Sequence, residues 1–189
     1  MLDSLQMCVN QIVRLDDTAW IAFSQLFSES ILKQGEYFAE AGRQEYQIGF
    51  LTKGVVRAFY RNGEGQEYNK TLFTDNEFIG AYASLVMQVS NQINLQALTD
   101  CSILVANYNE VTTLFEHHRT IETFARKMAE YFYVYKEKRE IDLVLLQADE
   151  RYKRFQQEYP DLENQIPQYH IASYLGITPT QLSRIRAKK

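Results

Sequence analysis

The spacing of apolar residues divides the chain into segments of different secondary structure. Near the start, Trp20, Phe23 and Phe27 recur at helical intervals after the run "DDT", which has the residues of a helix cap. This pattern predicts helix within residues 1–30. From 31 to 108, short β-branched and aromatic runs alternate with turn residues, which predicts a β-barrel or β-roll. The best hairpin signal is "RNGEGQ", because Asn and Gly tolerate positive φ.

From about residue 109 the apolar period becomes helical again. The stretch "IETFARKMAEYFYVYKEKREIDLVLLQ" contains neither Gly nor Pro, and it predicts one helix over about 120–146. At 1.5 Å per residue this helix is ~40 Å long and overhangs a small roll, which favours a helix–helix dimer seam. The alternative is packing on the chain's own roll. The apolar stripe assigned to the dimer helix is Ile121, Phe124, Met128, Phe132 and Tyr135.

The last segment, "QYHIASYLGITPTQLSRIRAKK", has the spacing of a helix-turn-helix motif. Counting from Gln168, the fifth position is the small Ala172 and the ninth is Gly176, where the turn needs positive φ. The positions that would hold the two helices together are all apolar: Ile171, Leu175, Ile177, Leu182 and Ile185. This match favours a DNA-binding motif over a generic helical hairpin with a frayed basic end.

The second helix of this motif has a well-specified start. Thr178 and Gln181 predict a capping box, and Pro179 suits the first turn. Side chains near the outward N-terminal part would contact base edges, with Arg184 a candidate for guanine, and those near the end would contact phosphates. The predicted DNA-binding residues are Thr178, Thr180, Gln181, Ser183, Arg184, Arg186, Lys188 and Lys189.

Charge is unevenly distributed along the chain. The net charge is −4 overall, with −6 in residues 1–147, −2 in 148–167 and +4 in 168–189. A basic end on an acidic protein predicts that this end alone contacts a polyanion such as double-stranded DNA. The alternative is a solubilising basic tail, and charge alone does not choose between the two.

Several classes of protein are not expected from this sequence. The two distant cysteines, Cys8 and Cys101, exclude a four-thiolate iron–sulfur or zinc site in one chain. The start lacks a signal-peptide pattern and the longest aliphatic run is "LVLL", so we expect a cytoplasmic protein without a membrane partner. An enzyme is not expected, because no nucleophile–base pair, metal-ligand spacing or phosphate-cradling glycine loop occurs.

With these motifs placed, the chain resembles the Crp/Fnr superfamily of bacterial transcription regulators over nearly its whole length. It is most similar to a short Bacteroidetes-type branch ending "PQYHIASYLGITPTQLSRIR". The resemblance implies an α+β fold, with a cyclic-nucleotide-binding-like β-roll and long dimerisation helix over 1–147 and a small helix-turn-helix domain over 148–189. It also implies a homodimer that binds palindromic promoter DNA, with RNA polymerase as a further candidate partner.

The resemblance also locates a candidate effector pocket. Members that bind cyclic AMP carry a Gly-Glu pair and, about ten positions later, an Arg followed by a small hydroxyl residue. In "FIGAYASLVMQVSNQ" the Gly matches, but the Glu, Arg and hydroxyl positions are Ala81, Asn91 and Gln92. We therefore expect no cofactor and no tight cyclic AMP binding. The candidate pocket residues are Gly80, Ala81, Tyr82, Ser84, Asn91 and Gln92, and the alternative is a pocket filled by its own side chains.

Other features depart from the resemblance or leave alternatives open. The second helix of the motif opens with Pro179 and Thr180 where well-known members have Arg-Glu, and no two-stranded wing follows, which predicts a different base code and weaker, dimer-dependent binding. Haem sensing would need an axial ligand, and the adjacent His117 and His118 are better explained as capping or exposed residues. The rival function is a sensing or protein-interaction dimer without sequence-specific DNA binding.

Overall fold

The computed structural model describes residues 1–188 and has a mixed α+β architecture. The helices are α1 (Leu2–Ile12), α2 (Asp17–Ser24), α3 (Tyr82–Met87), α4 (Tyr108–Thr113), α5 (Arg119–Leu145), α6 (Ala148–Glu158), α7 (Gln168–Leu175) and α8 (Pro179–Ala187). The strands are β1 (Ser28–Leu32), β2 (Tyr37–Ala39), β3 (Gln47–Lys53), β4 (Val56–Arg61), β5 (Glu67–Phe73), β6 (Glu77–Ile79), β7 (Asn94–Ala97) and β8 (Cys101–Asn107).

The strands form the predicted β-roll. One sheet has the order β1-β8-β3-β6 and the other β2-β7-β4-β5, with antiparallel pairing throughout the described pairs. Apolar side chains from both sheets, such as Leu51, Ile79 and Leu95, are buried together between them. The β4–β5 connection is the predicted "RNGEGQ" hairpin, in which Gly65 has a φ of +81°. The α+β fold class is therefore confirmed.

Local periodicity misplaces the first strand. Residues 28–30 fall within the stretch expected to be helical, but they open β1. The reason is tertiary, since β1 pairs with β8 in register from Ser28 opposite Val105 to Leu32 opposite Cys101. Ladder hydrogen bonds of this kind override the apolar spacing of a short segment. The helical prediction is correct for α1 and α2, and Asp16 caps α2 by accepting the N–H of Ala19 at 2.9 Å.

The C-terminal helices pack directly on the roll. Tyr152 and Phe155 of α6 share one buried apolar cluster with Val55, Leu72 and Leu98 of the roll. The sequence predicts the two parts but not this contact. It joins residues that lie between 54 (Leu98 to Tyr152) and 100 (Val55 to Phe155) positions apart, and no local pattern encodes such a pairing.

A buried polar network completes the contact between α7 and the second sheet. Asn69 donates its side-chain amide to the His170 carbonyl at 2.9 Å, and its backbone N–H donates to Ser173 Oγ at 2.9 Å. The guanidinium of Arg57 lies 3.3 Å from His170 Nδ1 and donates to Glu67 at 2.6 Å. Because a guanidinium can only donate, Nδ1 is the acceptor and His170 is neutral.

The pH dependence of stability, compared between the wild type and His170→Asn, tests this network. Burial, and secondarily the charge of Arg57, lowers the pKa of His170 from 6.5 to about 4. Between these values His170 binds a proton in the unfolded chain but not in the folded chain. The contribution of His170 to stability is therefore fully present above pH 6.5 and is lost as pH falls toward 4. Urea unfolding should show the wild type losing stability relative to H170N over this window.

The comparison of the wild type with H170N also cancels the effect of a second titrating group, Glu77. Burial raises the pKa of Glu77 from 4.5 to about 7, which stabilises the fold at low pH and so acts in the opposite direction. That contribution cancels in the difference between wild type and variant. His117→Asn changes an exposed histidine and is the matched control. A pH-independent difference for H170N would show that the network does not depend on a neutral histidine.

Candidate functional site

The α7–α8 pair has the packing that a helix-turn-helix needs. Ile171, Leu175 and Leu182 are at most 1% exposed and lie in the same apolar cluster, with Ile177 and Ile185 packed against it. Gly176 ends α7 with a φ of +68°, a conformation that costs other residues free energy. The small Ala172 is fully buried where the helices approach. Each structural position singled out in the sequence therefore has its expected environment.

The start of α8 is fixed by the predicted capping box. The Thr178 hydroxyl accepts the N–H of Gln181 at 3.2 Å, and the Gln181 side chain accepts the N–H of Thr178 at 3.0 Å. Pro179 is the first helical residue and has no N–H to satisfy. Thr178 and Gln181 thus act on the helix terminus, so their predicted contact with DNA is secondary to capping.

The outward face of α8 is free. Thr180, Ser183 and Arg184 are exposed and lie on the side of the helix opposite Leu182 and Ile185. Within residues 1–188, Arg184 forms no ion pair. An unpaired guanidinium on an exposed helix face is available for a hydrogen-bonded base or phosphate contact.

The basic residues that follow have different environments. Arg186 lies 3.9 Å from the Glu163 carboxylate, which directs it toward its own domain. Lys188 is exposed. Lys189, also predicted to contact DNA, lies outside the described residues.

Only part of the candidate effector pocket is built as predicted. Gly80 and Tyr82 line a cavity of about 390 Å³. Ala81 and Ser84 are buried instead, and the Ser84 hydroxyl donates to the Val89 carbonyl at 2.6 Å. Gln92 is exposed and does not line the cavity.

Asn91, at the position where cyclic AMP binders have Arg, has a structural role. Its side-chain amide donates to the carbonyls of Ile93 and Glu40, and its oxygen accepts the N–H of Ile93 at 3.0 Å. The side chain therefore closes its own loop and joins it to the segment at Glu40. Ser84 and Asn91 are not free to contact an effector as predicted, because their polar atoms already bond to backbone groups of residues 40, 45, 89 and 93.

The cavity lies between the roll and α5. Its walls are largely aromatic and aliphatic, including Phe23, Phe78 and Phe124, whereas Lys70, Lys136 and Arg139 line one part of it. These three cations were not identified from the sequence. They come from β5 and the second half of α5, and no linear spacing relates them.

The apolar stripe of α5 mostly faces the chain's own fold. Ile121 is fully buried and Phe124 is 5% exposed, and both lie with Met128 in the cluster beneath α1 and α2. Tyr135 donates or accepts hydrogen bonds with the hydroxyls of Tyr159 and Tyr174 at 2.9 and 3.2 Å. The assignment of Ile121 and Phe124 to a dimer seam is wrong, because packing on the roll covers them. Phe132 is 37% exposed at the cavity edge.

A different face of α5 exposes apolar side chains. Tyr131, Val134, Ile141 and Leu145 are each about half exposed or more. Their spacing of three, seven and four places them on one stripe, with Lys138 between Val134 and Ile141. This second stripe was not singled out in the sequence, because the first stripe is the more aromatic.

The structure provides no metal centre or membrane span among residues 1–188. No group of three or more His, Cys, Asp or Glu side chains there could hold a metal ion. His118 directly precedes α5 without capping it through its side chain, and His117 is exposed. No helix in the described part of the chain is both long and apolar enough to cross a membrane.

Comparison with known proteins agrees with this architecture. Residues 29–118, which span the roll, match the family model of the cyclic nucleotide-binding domain. The chain shares its fold with solved structures that include a protein of the Crp/Fnr family. A search of curated proteins gives no match.

Three solved structures illustrate the likeness. FixK2 from Bradyrhizobium japonicum superposes with a TM-score of 0.76 at 16% identity, covering 86% of this chain and 83% of that one. A Crp/Fnr-family protein from Eubacterium rectale gives 0.73 at 14% identity, with coverages of 92% and 83%. The c-di-GMP-responsive regulator CLP of Xanthomonas campestris gives 0.70 at 14% identity, with coverages of 92% and 91%. Identities this low establish the fold alone.

The capping box makes a testable contribution to α8. Thr178→Ala removes the acceptor for the Gln181 N–H, and we expect it to lower the free energy of unfolding by about 0.5–2 kcal/mol. Thr180→Ala is the matched control, since Thr180 is exposed two residues away and its expected effect is within about 0.5 kcal/mol. Urea denaturation compares the two, and equal effects would show that the capping bond contributes nothing.

Proposed function

We propose that this protein is a bacterial DNA-binding transcription regulator of the Crp/Fnr type. In this proposal residues 1–147 form the sensor domain and residues 148–189 the DNA-binding domain. The observation that carries it is the exposed outward face of α8 on a correctly packed helix-turn-helix, where Arg184 has no ion pair among residues 1–188. The solved structures that share the fold include regulators of transcription, which supports the same class and not an enzyme.

The geometry of the motif predicts how DNA would be bound. The α8 helices of two chains would enter successive major grooves, about 34 Å apart, on a palindromic site. Thr180, Ser183 and Arg184 would face the bases, whereas Lys188 would contact phosphate. Such a regulator acts in the cytoplasm at promoters, with RNA polymerase as a further partner.

The homodimer would form through α5. The stripe of Tyr131, Val134, Ile141 and Leu145 has the spacing of a two-helix seam and is uncovered in the monomer. Burial of these side chains against a second copy removes apolar surface from water, which favours association. The same contact would set the distance between the two α8 helices.

Cyclic AMP is not the effector in this proposal. No Lys or Arg occurs between Lys70 and Arg119, so the turn around α3 offers no cation for a cyclic phosphate. Asn91 is already engaged in three hydrogen bonds, two to Ile93 and one to the Glu40 carbonyl.

Selection from a random pool of double-stranded oligonucleotides tests the function. The full-length protein should enrich a two-fold-symmetric site with half-sites about one helical turn apart. Enrichment of no sequence, with an intact folded dimer, would favour the rival sensing or interaction module.

Arg184→Ala should weaken binding to the selected site by about 1–3 kcal/mol per half-site and relax the preference at one base pair. The reason is that a bidentate contact of arginine to guanine discriminates among bases. Titrations by fluorescence anisotropy on the cognate site, a site with one changed base, and random DNA would measure this.

Lys188→Ala is the control for a phosphate contact. It should weaken binding to all three DNAs alike and reduce the slope of log K against log salt by about one. Equal losses on cognate and random DNA for Arg184→Ala would contradict a base-reading role.

Ile141→Glu should dissociate the dimer. Two carboxylates facing each other across an apolar seam lose their hydration and repel one another. Sedimentation equilibrium should give the mass of a monomer, with the helical circular dichroism of the wild type retained. Ile21→Glu is the control, because Ile21 on α2 is similarly exposed, at 53% against 48%. A monomeric wild type, or a dimeric Ile141→Glu protein, would contradict this seam.

A further inference from the structure

The cavity beside α5 has two ends of different chemistry. Its α5 wall runs from Ile121 to Arg139, a distance of about 27 Å along the helix axis. At the Ile121 end it is lined by apolar side chains such as Phe23 and Phe115. At the Arg139 end it is lined by Lys70 and Lys136 as well. The cavity is therefore elongated, apolar over most of its length, and cationic at one end.

The cations at that end lack full charge compensation. Within residues 1–188, neither Lys70 nor Arg139 has a carboxylate within ion-pairing distance, and Lys136 pairs only with the exposed Glu140 at 3.6 Å. Burial, and secondarily the charge of Lys136, lowers the pKa of Lys70. No Asp or Glu is among the described lining residues. Lys70 and Arg139 are partly buried and have no ion-pairing carboxylate among residues 1–188, which costs free energy that an entering anion would recover.

The apolar body discriminates against polar ligands. Its polar side chains are few, and two of them, Tyr82 and Tyr108, pack edge to face at 6.2 Å. The hydroxyls of a ribose or the edge of a base would lose their hydration there without enough partners, whereas a hydrocarbon chain loses nothing. The shape and the lining together fit one anionic group attached to a slender apolar tail.

We propose that this cavity binds an amphipathic monocarboxylate, with its unbranched acyl chain along α5 and its carboxylate at Lys70, Lys136 and Arg139. This extends the regulator function proposed above by naming the chemical class of its effector. Arg139 places that carboxylate near the helix-turn-helix, since its guanidinium stacks 3.8 Å from the ring centroid of Tyr174 and donates to the Tyr174 carbonyl.

Binding of sodium dodecanoate to the full-length protein tests the proposal without DNA. Trp20, the one tryptophan of the chain, has its ring 6.5 Å from Phe23, which lines the cavity, so its fluorescence can report occupancy. Calorimetry below the micelle concentration gives the stoichiometry, expected to be one per chain. Dodecanol, with the same chain and no charge, should bind at least about tenfold more weakly, because it lacks the charge-assisted contact.

Two variants locate the ligand. Lys70→Met keeps the apolar stem and removes the charge, and it should weaken dodecanoate binding about tenfold or more while leaving dodecanol unchanged. Lys53→Met, at an exposed site on β3 outside the cavity, is the matched control. Ala129→Phe should occlude the cavity and abolish binding of both ligands, with a cooperative thermal transition confirming that the variant is folded.

Three results would overturn the proposal. These are equal affinities for dodecanoate and dodecanol, an unchanged affinity in Lys70→Met, and binding of cyclic AMP in place of dodecanoate. The outcome is separable from that of the DNA selection. Dodecanoate binding without any selected site would refute the regulator function alone, and a selected site without dodecanoate binding would refute the ligand class alone.

Discussion

One face of α5 packs against the roll through its first half and against the helix-turn-helix through its second half. Phe124 is buried beneath α1 and α2, and Tyr135 bonds the hydroxyls of Tyr159 and Tyr174. Because an α-helix with an intact hydrogen-bond ladder is stiff, these two contacts fix the position of the roll relative to the helix-turn-helix. If α5 shifted on the roll, its contact with the helix-turn-helix would have to shift as well, or the chain would have to bend where α5 ends.

The contact between the roll and the C-terminal helices is polar as well as apolar, and it therefore favours one arrangement of the two parts. Tyr159 and Leu72 bury apolar surface, but Arg57, Asn69 and His170 also bond to one another while buried. A network of this kind favours one docked arrangement over others, because any displacement leaves buried groups unpaired. It also requires His170 to stay neutral, since a second cation beside Arg57 would have no compensating bond.

The parts of this fold that the sequence predicts are those with short-range causes. Gly176, Thr178 and Gln181 specify a turn and a capped helix within a few residues, and the structure has both. The burial of Ile121 and Phe124 in the monomer could not be predicted, because the period of an apolar stripe does not say which surface covers it. The role of Asn91 could not be predicted either, because an aligned position does not show which backbone groups a side chain bonds.

The roll lacks a cyclic phosphate site because its cations lie elsewhere than on the turn around α3. The cations of the cavity, Lys70, Lys136 and Arg139, lie on β5 and α5 and not on the turn around α3. An anion held there would approach the guanidinium that also holds the Tyr174 carbonyl of α7. The two acceptors would then compete for one set of donors. A ligand in this position would therefore act on the docked helix-turn-helix through Arg139, without movement of the turn around α3.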